Sequence, residues 1–379
     1  MFITVNLKEK VHQISIDELF NDTIDISDLV PSKYTFDTYT YQAVLPNRRI
    51  IENTDFHSMD IELRKFNQKY KVLIDTEDKN PLYRKFKIPK RSGGLREISA
   101  PNQELMRALL DLKEILEKKF MANHHTAAFA YVNGRCTVDC VRRHQKNNSR
   151  WFAKFDFSKF FPSTTPEFLM NMLYQTYPIS MFVSVPSRKA EFEKAMSLCF
   201  LNGGLPQGTP TSPLLTNMMM IPIDHEISKM CRASSPHLVY TRYADDIIIS
   251  GEFKFPWWEV QKKLLDILKS YNAPFSLNTD KTRFGSNAGR NWNLGVMLNK
   301  DNKITIGHKK KEIFSAMLYN FMRDRRNGSA WELNDVQHLN GLISYYKMVE
   351  GKTIDDIIAK NDSKFGESTM NAIKEILKT

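Results

Sequence analysis

The chain has 379 residues, 42% of them apolar, enough for two or three packed subdomains around a sizeable core. Its net charge of +11 favours an anionic partner, and nucleic acid is the usual one, although a soluble protein that is merely basic has the same composition. Four cysteines over this length make no disulfide framework, and no stretch approaches the roughly 20 apolar residues of a membrane span. Lys8, Lys10, Asp17 and Glu18 are foreign to a signal peptide, so the expectation is a soluble, cytoplasmic protein with no membrane partner.

The opening sixty-odd residues carry no clear pattern. From Tyr83 to Pro101 (YRKFKIPKRSGGLREISAP), apolar and cationic positions alternate about Ser92-Gly93-Gly94, which predicts a basic two-stranded hairpin. Leu105, Leu109, Leu112 and Leu116 then mark one face of a helix. Cys136 and Cys140, with His124, His125 and His144 nearby, have neither the spacing nor the second cysteine pair of a zinc site, and the thiols read as free. WFAKFD (151–156) alternates as a strand, after which the chain turns at Pro162-Ser163. Thr165-Pro166-Glu167 starts a helix with a cap and a first-turn proline. A Gly/Pro loop (GGLPQGTPTSP) leads to an apolar helix from about Leu214. Two strands meet at Ala244-Asp245, a helix with Val260, Leu264, Leu268 and Tyr271 inward follows, and a strand is expected from Phe275 to Asn278. This order predicts an α+β sheet with helices on one face. The last seventy or so residues read as helical, most clearly at Gly341–Met348 and NAIKEILK.

The carboxylates carry the chemistry. In Tyr243-Ala244-Asp245-Asp246, two adjacent aspartates lie between apolar strands. Like charges side by side raise each other's pKa unless a cation neutralises them, and Asn-Gly would make a cheaper turn. An ordinary polar turn is the plain alternative; a divalent ion is the other, since Mg²⁺ favours one or two carboxylates plus phosphate oxygens. Asp156 ends an otherwise buried strand, and such a residue either faces solvent or ligates. Three carboxylates on two sheet elements suit two ions about 4 Å apart, the arrangement of in-line phosphoryl transfer.

FDFSKFF with Asp156, LPQG with Gln207, YADD with Asp245 and Asp246, NTDKT with Lys281 and NLG with Gly295 resemble, in order, the successive motifs of reverse transcriptases, and KRSGGLREI resembles their fingers motif. These segments span roughly Lys85 to Gly295, and six in the correct order are far more specific than any one. RYADD, FFPS and LNGLISYYK are most similar to the small bacterial enzymes related to retron and group II intron reverse transcriptases. The resemblance implies an α+β right-hand polymerase: an N-terminal extension over 1–65, fingers and palm over 66–300 (an antiparallel sheet backed by helices), and a helical thumb over 301–379.

It also implies roles. Asp156, Asp245 and Asp246 become the catalytic metal ligands, with the Phe157 carbonyl as an extra, holding two Mg²⁺ ions or Mn²⁺ in their place. Phe161 falls at the aromatic gate against a ribose 2′-hydroxyl, with plain core as its alternative. Gln207 contacts the nucleotide or merely caps a helix, and Gly204 and Gly208 allow close backbone approach to a ligand. Arg96 and Lys90 grip the triphosphate, as a guanidinium fork would, or form a solvated ribbon. Lys281 assists the leaving pyrophosphate. Lys85, Lys87 and Arg91 in the fingers, with Gly295, Lys309, Lys310 and Arg323 further on, are the nucleic-acid contacts, sequence-independent and salt-sensitive where they meet phosphate; a solvated lysine face is the alternative at 309–311.

Retron enzymes carry N-A-x-x-H before the catalytic strand and V-T-G near the thumb. Here Cys140-Val141-Arg142-Arg143-His144 keeps only the histidine, and Ile304-Thr305-Ile306-Gly307 stands for the second. These departures point to the defence-associated, anti-phage branch outside the retrons, and the stretch after Lys311 is short for a maturase or ribonuclease H domain. The expected partners are an RNA template, a DNA or RNA primer, dNTPs, a non-coding RNA and a companion defence protein. Untemplated DNA synthesis in abortive infection, an RNA-dependent RNA polymerase, and an inactive RNA-binding palm are the rival readings.

Overall fold

The computed structural model describes residues 2–7, 10–15, 55–89, 93–120, 124–287 and 295–378. Strands β1 (Phe2–Leu7) and β2 (Lys10–Ser15) pair as an antiparallel hairpin. Helix α1 (Phe56–Lys69) begins at Asp55, whose carboxylate accepts from the amides of His57 and Ser58, satisfying donors a helix start leaves open. It buries Met59, Leu63 and Phe66 at the i, i+4, i+7 spacing of one helical face. The helix runs through position 65, so residues on both sides of the expected boundary share one core.

The basic hairpin is formed by β3 (Tyr83–Pro89) and β4 (Leu95–Pro101), with Lys87 opposite Glu97 and Ile88 opposite Arg96. It forms a two-stranded sheet of its own, and most of its side chains are exposed. Lys90 and Arg91, with Ser92 of the turn, lie outside the described residues. Helix α2 (Gln103–Lys118) buries the four predicted leucines and is capped by Asn102, whose side chain accepts from the Leu105 amide at 2.9 Å.

The central sheet has four antiparallel strands in the order β6 (Val239–Tyr243), β7 (Asp246–Gly251), β5 (Trp151–Asp156), β8 (Arg283–Ser286). Helix α3 (Thr137–Lys146) precedes β5 in the chain, and α4 (Pro166–Leu173) follows it behind the expected Thr165 cap. Helix α5 (Pro186–Met196) lies against α1. The predicted apolar helix is two, α6 (Ser212–Met219) and α7 (Ile221–Ala233); the break falls just before Pro222, which lacks an amide for the helical ladder. Helix α8 (Trp257–Ser270) packs on α7 and buries Val260, Leu264 and Leu268.

One expectation is corrected here. No strand forms over Phe275–Asn278: a single bridge joins Leu277 to Phe157, and the fourth strand is β8. The alternation reflects Phe275 and Leu277 entering the core, not a continuous ladder. After β5 the backbone turns at Lys159 (φ 51°) into a helical turn, Phe160–Ser163.

Strand alternation explains how the sheet is buried. Ile247 and Ile249 of β7 enter the main core with the helices of one face, whereas Ile248 packs with Val141 of α3 and Phe152 of β5 on the other. Helices therefore touch both faces instead of one. On that second face the short hairpin β9 (Met297–Leu298) and β10 (Ile304–Thr305) adds Val296 and Leu298.

The last three helices are α9 (His308–Arg326), α10 (Leu333–Phe365) and α11 (Thr369–Lys378). They share a separate core of Phe314, Leu318, Phe321, Val336, Leu339, Ile343, Ile358 and Ile373. Helix α10 is interrupted at Glu350 (φ −139°, ψ 56°). Tyr345 and Val349, just before this break, reach the cluster on the second sheet face. Among the described residues no helix is long and apolar enough to cross a membrane. The architecture is the expected α+β right hand with a helical thumb.

Candidate active site

The site forms where β5 and β7 end side by side. Their register places Asp156 directly opposite Asp246, and the tight turn from β6 into β7 adds Asp245. The Phe157 amide donates to the Asp245 carbonyl at 3.0 Å, and the Asn278 amide to the Asp156 carbonyl at 2.7 Å, so the backbone that carries the acids is pinned from both sides. Ala244 holds the turn at φ 57°, a left-handed conformation unusual for a residue with a β-carbon.

What fixes that turn is a buried polar knot. Arg242 of β6 and Asp224 of α7 are both fully buried and pair at 2.8 Å. The Asp224 carboxylate also accepts from the Tyr240 hydroxyl at 2.6 Å, and Asn217 accepts from Arg242. The remaining arm of Arg242 donates to the Ala244 carbonyl at 3.1 Å, tying the guanidinium to the turn before Asp245. Behind β6 and β7, the buried His144 ring bridges the Thr241 hydroxyl (2.7 Å) and the Ser250 hydroxyl (2.6 Å). The histidine that survives from the retron pattern thus clamps the two strands that carry the aspartate turn.

A cavity of about 1200 Å³ opens over these acids. Asp156, Asp245 and Asp246 line it together with Phe157, Phe161, Arg96, Gln207, Lys281 and Lys85. The sequence scatters these residues over almost two hundred positions; the fold brings them to one chamber. Lys87, Gly295, Lys309, Lys310 and Arg323 are not in its wall.

The electrostatics are uneven. Asp156 is paired with Lys281 at 2.8 Å and Asp246 with Lys154 at 2.7 Å. Burial pushes the Asp245 carboxyl above the ordinary range, and the neighbouring Asp156 and Asp246 charges push it further. Burial also raises Asp246, against the pull of Lys154. Lys281 is held protonated above its ordinary value, chiefly by its hydrogen bond to Asp156.

Among the described residues no three acidic, histidine or cysteine side chains already converge as a cage for a metal ion. The donor set nevertheless suits a hard divalent cation, because such ions take one or two carboxylates and complete their shell with water and substrate phosphates. Three acids in one cavity, one of them with its charge opposed by burial and by like charges, are what such an ion would neutralise.

The cavity walls come from close backbone packing. The Ser99 amide of β4 donates to the Gln207 carbonyl at 2.8 Å, fastening the LPQG loop to the basic hairpin. A β-carbon on Gly204 would lie 2.1 Å from the Pro162 carbonyl oxygen, and one on Gly208 (φ 118°) 2.9 Å from that of Ser99. The two glycines therefore admit the protein's own backbone at close approach. Phe161 is half-buried and its carbonyl accepts from the Leu205 amide at 3.1 Å, which sets its ring at the cavity edge.

The sequence reading missed Lys154 and Lys159, both in the cavity wall, and the knot around Arg242. The signal for Lys154 was there, since strand alternation puts it on the same face as Asp156. In the thumb-side cations, the Lys310 ammonium donates to the Gly295 carbonyl at 2.8 Å, and Lys311 pairs with Glu350. Arg323 bonds Asp324, while Lys309 is exposed.

Comparison with known proteins gives the family. A family model described as reverse transcriptase (RNA-dependent DNA polymerase) matches residues 88–314. The Retron Ec83 reverse transcriptase of Escherichia coli is 29% identical over 329 residues, covering 84% of this chain and 98% of that one. The Retron Ec73 reverse transcriptase of Escherichia coli is 26% identical, over 70% of this chain and 83% of its own. The Retron Mx65 reverse transcriptase of Myxococcus xanthus is 27% identical, over 70% and 61%. These relatives are retron enzymes, whereas the departures at 140–144 and 304–307 pointed outside the retrons. With most of its length matched by the family model and its acids gathered in one cavity, the chain belongs to the reverse transcriptase family of RNA-directed DNA polymerases.

Proposed function

We propose that the chain extends a DNA or RNA primer with dNTPs on a non-coding RNA template, with Asp156, Asp245 and Asp246 as the catalytic carboxylates. The observation that carries this reading is the register of β5 and β7, which sets Asp156 across from Asp246 beside the Asp245 turn. The carboxylates, with the Phe157 carbonyl, would hold two Mg²⁺ ions, or Mn²⁺, which when bound activate the primer 3′-hydroxyl and stabilise the leaving pyrophosphate.

The chain's own residues supply the rest. Arg96 and Lys281 both line the cavity and bring positive charge to a triphosphate; Lys90 adds to them. Lys281 gives up its bond to Asp156 to do so, which its half-exposed side chain allows. Phe161 crowds the sugar 2′ position. Gln207 contacts the nucleotide from a loop fixed by its own carbonyl. Lys85 and Lys87 on the basic hairpin, with Arg91, meet template phosphates. Gly295, Lys309, Lys310 and Arg323 meet the duplex from the thumb side, with 66–300 acting as fingers and palm, 301–379 as thumb, and 1–65 as an extension.

Similarity to retron enzymes supports a dedicated non-coding RNA as template, and with it an anti-phage role in the cytoplasm alongside a companion protein. The test is primer extension by the purified chain on RNA, with dNTPs against rNTPs, together with sequencing of the nucleic acid that copurifies. Extension that needs no template, or that prefers rNTPs, overturns the reading.

A further inference from the structure

The two lysines that touch the site acids sit in different surroundings. The Lys281 side chain is 52% exposed and comes from a single tight turn, whereas that of Lys154 is 25% exposed and its partner Asp246 17%. Asp156 is only 8% exposed, so the first pair has a buried acid under a solvent-facing, loosely held cation, whereas in the second pair both members are covered and the cation keeps more of its Coulomb attraction. Lys154 also has little freedom. It lies in the middle of β5, with Ile248 of β7 on one flank and Arg283 of β8 on the other, and on the same strand face as Asp156. Its ammonium turns to the Asp246 carboxylate at 2.7 Å. A cation fixed there occupies an oxygen that the proposed function gives to a divalent ion.

We propose that Lys154 is a positioning residue, the resident counter-ion of Asp246, which keeps that carboxylate in place without metal and makes a divalent ion compete for it. This inference rests on the reading of the three aspartates as metal ligands. Its consequence is an order of events. The protein alone holds metal weakly, because entry must displace an ammonium. The ion is held firmly only when triphosphate oxygens add to the carboxylates, as Mg²⁺ sites commonly require. Metal loading and nucleotide arrival become coupled, and Lys154, once released, remains at the floor of the cavity as a cation for phosphate.

The test uses Mn²⁺ alone, without nucleotide or nucleic acid, titrated into the full chain and followed by the paramagnetic signal of free Mn²⁺. Lys154→Met should bind Mn²⁺ at least about tenfold more tightly than the wild type, a difference of about 1.4 kcal/mol. Its melting temperature should fall below the wild type in chelator and recover on adding Mg²⁺, since a ligand that binds only the folded state stabilises it. Lys154→Arg, which keeps the charge, should return to weak binding. If Lys154→Met does not fold, Lys154→Gln makes the same measurement with an uncharged donor. Equal affinity in wild type and the neutral variant overturns the role of Lys154 and leaves the three aspartates as ligands. Binding in neither overturns both.

Discussion

The palm sheet and the thumb bury polar groups to different degrees. The palm hides charge: Arg242 and Asp224 pair at complete burial, His144 sits between two hydroxyls, and Lys154 meets Asp246 under partial cover. The thumb packs a mainly apolar interior, with the buried Asn361 bonded to the Leu318 carbonyl and the Thr369 hydroxyl; it shields Lys311 with Glu350 but leaves its other ion pairs more open, as with Arg325 to Glu367 and Glu375. Buried polar groups are costly unless every partner is present, so they tolerate few arrangements. Where an aspartate must stand within tenths of an ångström of its partner, that intolerance is useful. A helical lever needs only a face to pack, and apolar packing supplies it without specifying one geometry as narrowly.

If the palm is built for position, its acids should be expendable for folding and indispensable for chemistry. Asp245→Asn should lower primer extension by about a thousandfold or more, the equivalent of several kcal/mol of charge stabilisation at about 1.4 kcal/mol per factor of ten. Its melting temperature should hold or rise, because burial and two neighbouring acids already oppose the Asp245 charge. A variant that loses activity and stability together would contradict the division. Arg242→Met attacks the scaffold instead. It strands Asp224 without its guanidinium partner, and losing one member of a buried pair costs about 3–5 kcal/mol, readable as a lower denaturation midpoint. The Ala244 carbonyl loses its donor at the same time, so residual folded protein should extend primers poorly.

Phe161 sharpens the comparison from the cavity side, because its backbone is pinned while its ring is half free. Phe161→Ala should raise rNTP use relative to dNTP by about ten- to two-hundredfold, the usual worth of steric contacts in a pocket. Competition between the two nucleotides in one extension assay measures it, and an unchanged ratio would return Phe161 to a packing role.

The legible parts of the fold were those where a side-chain period repeats. The leucine face of α2, the alternation of WFAKFD and the Thr165-Pro166 start were visible because helix and strand periods imprint directly on residue order. The cavity's acids were legible for another reason: adjacent aspartates between isoleucines make poor sense without a charge to meet. The illegible parts depend on partners distant in sequence. Nothing local in Arg242 shows that it is fully buried, since its reason for burial is Asp224, on α7. Gly204 and Gly208 were read as room for a ligand, yet the close neighbours are Pro162, Ile98 and Ser99. Phe275 and Leu277 alternate like a strand because both are buried, and only the neighbouring chain decides whether a ladder forms. Lys154 drew no role from the sequence, although its strand face was already determined.

Acid should weaken the palm through its neutral histidines. Burial drives His144 down to about 3 and His124 and His125 to about 4, from an ordinary value near 6.5. The unfolded chain therefore takes up protons that the folded one refuses, so stability is full above about pH 6.5 and drains away as pH falls toward 3–4. Each such group contributes up to about 1.4 kcal/mol per pH unit within that window. Replacing His144 by Gln, which can still bond the hydroxyls of Thr241 and Ser250, should flatten the slope of denaturation midpoint against pH without abolishing it, because His124 and His125 remain. An unchanged slope would mean that the ring is already protonated in the fold.

The smallest effect belongs to the thumb surface, and it is the one that could undo the contrast. Arg325 bridges Glu367 and Glu375 at 3.0 and 2.6 Å, with side chains 31%, 46% and 64% exposed. By distance alone this is as good a pair as Arg242 with Asp224. By solvation it is not: exposed pairs are worth about 0.2–1 kcal/mol, and salt screens them over about 8–10 Å. Arg325→Ala should shift the denaturation midpoint only slightly, and the shift should vanish in molar salt, whereas the loss in Arg242→Met should persist there. Should the two substitutions cost alike, burial would not be what separates palm from thumb, and the precision of the aspartate turn would need a source other than the charge hidden beneath it.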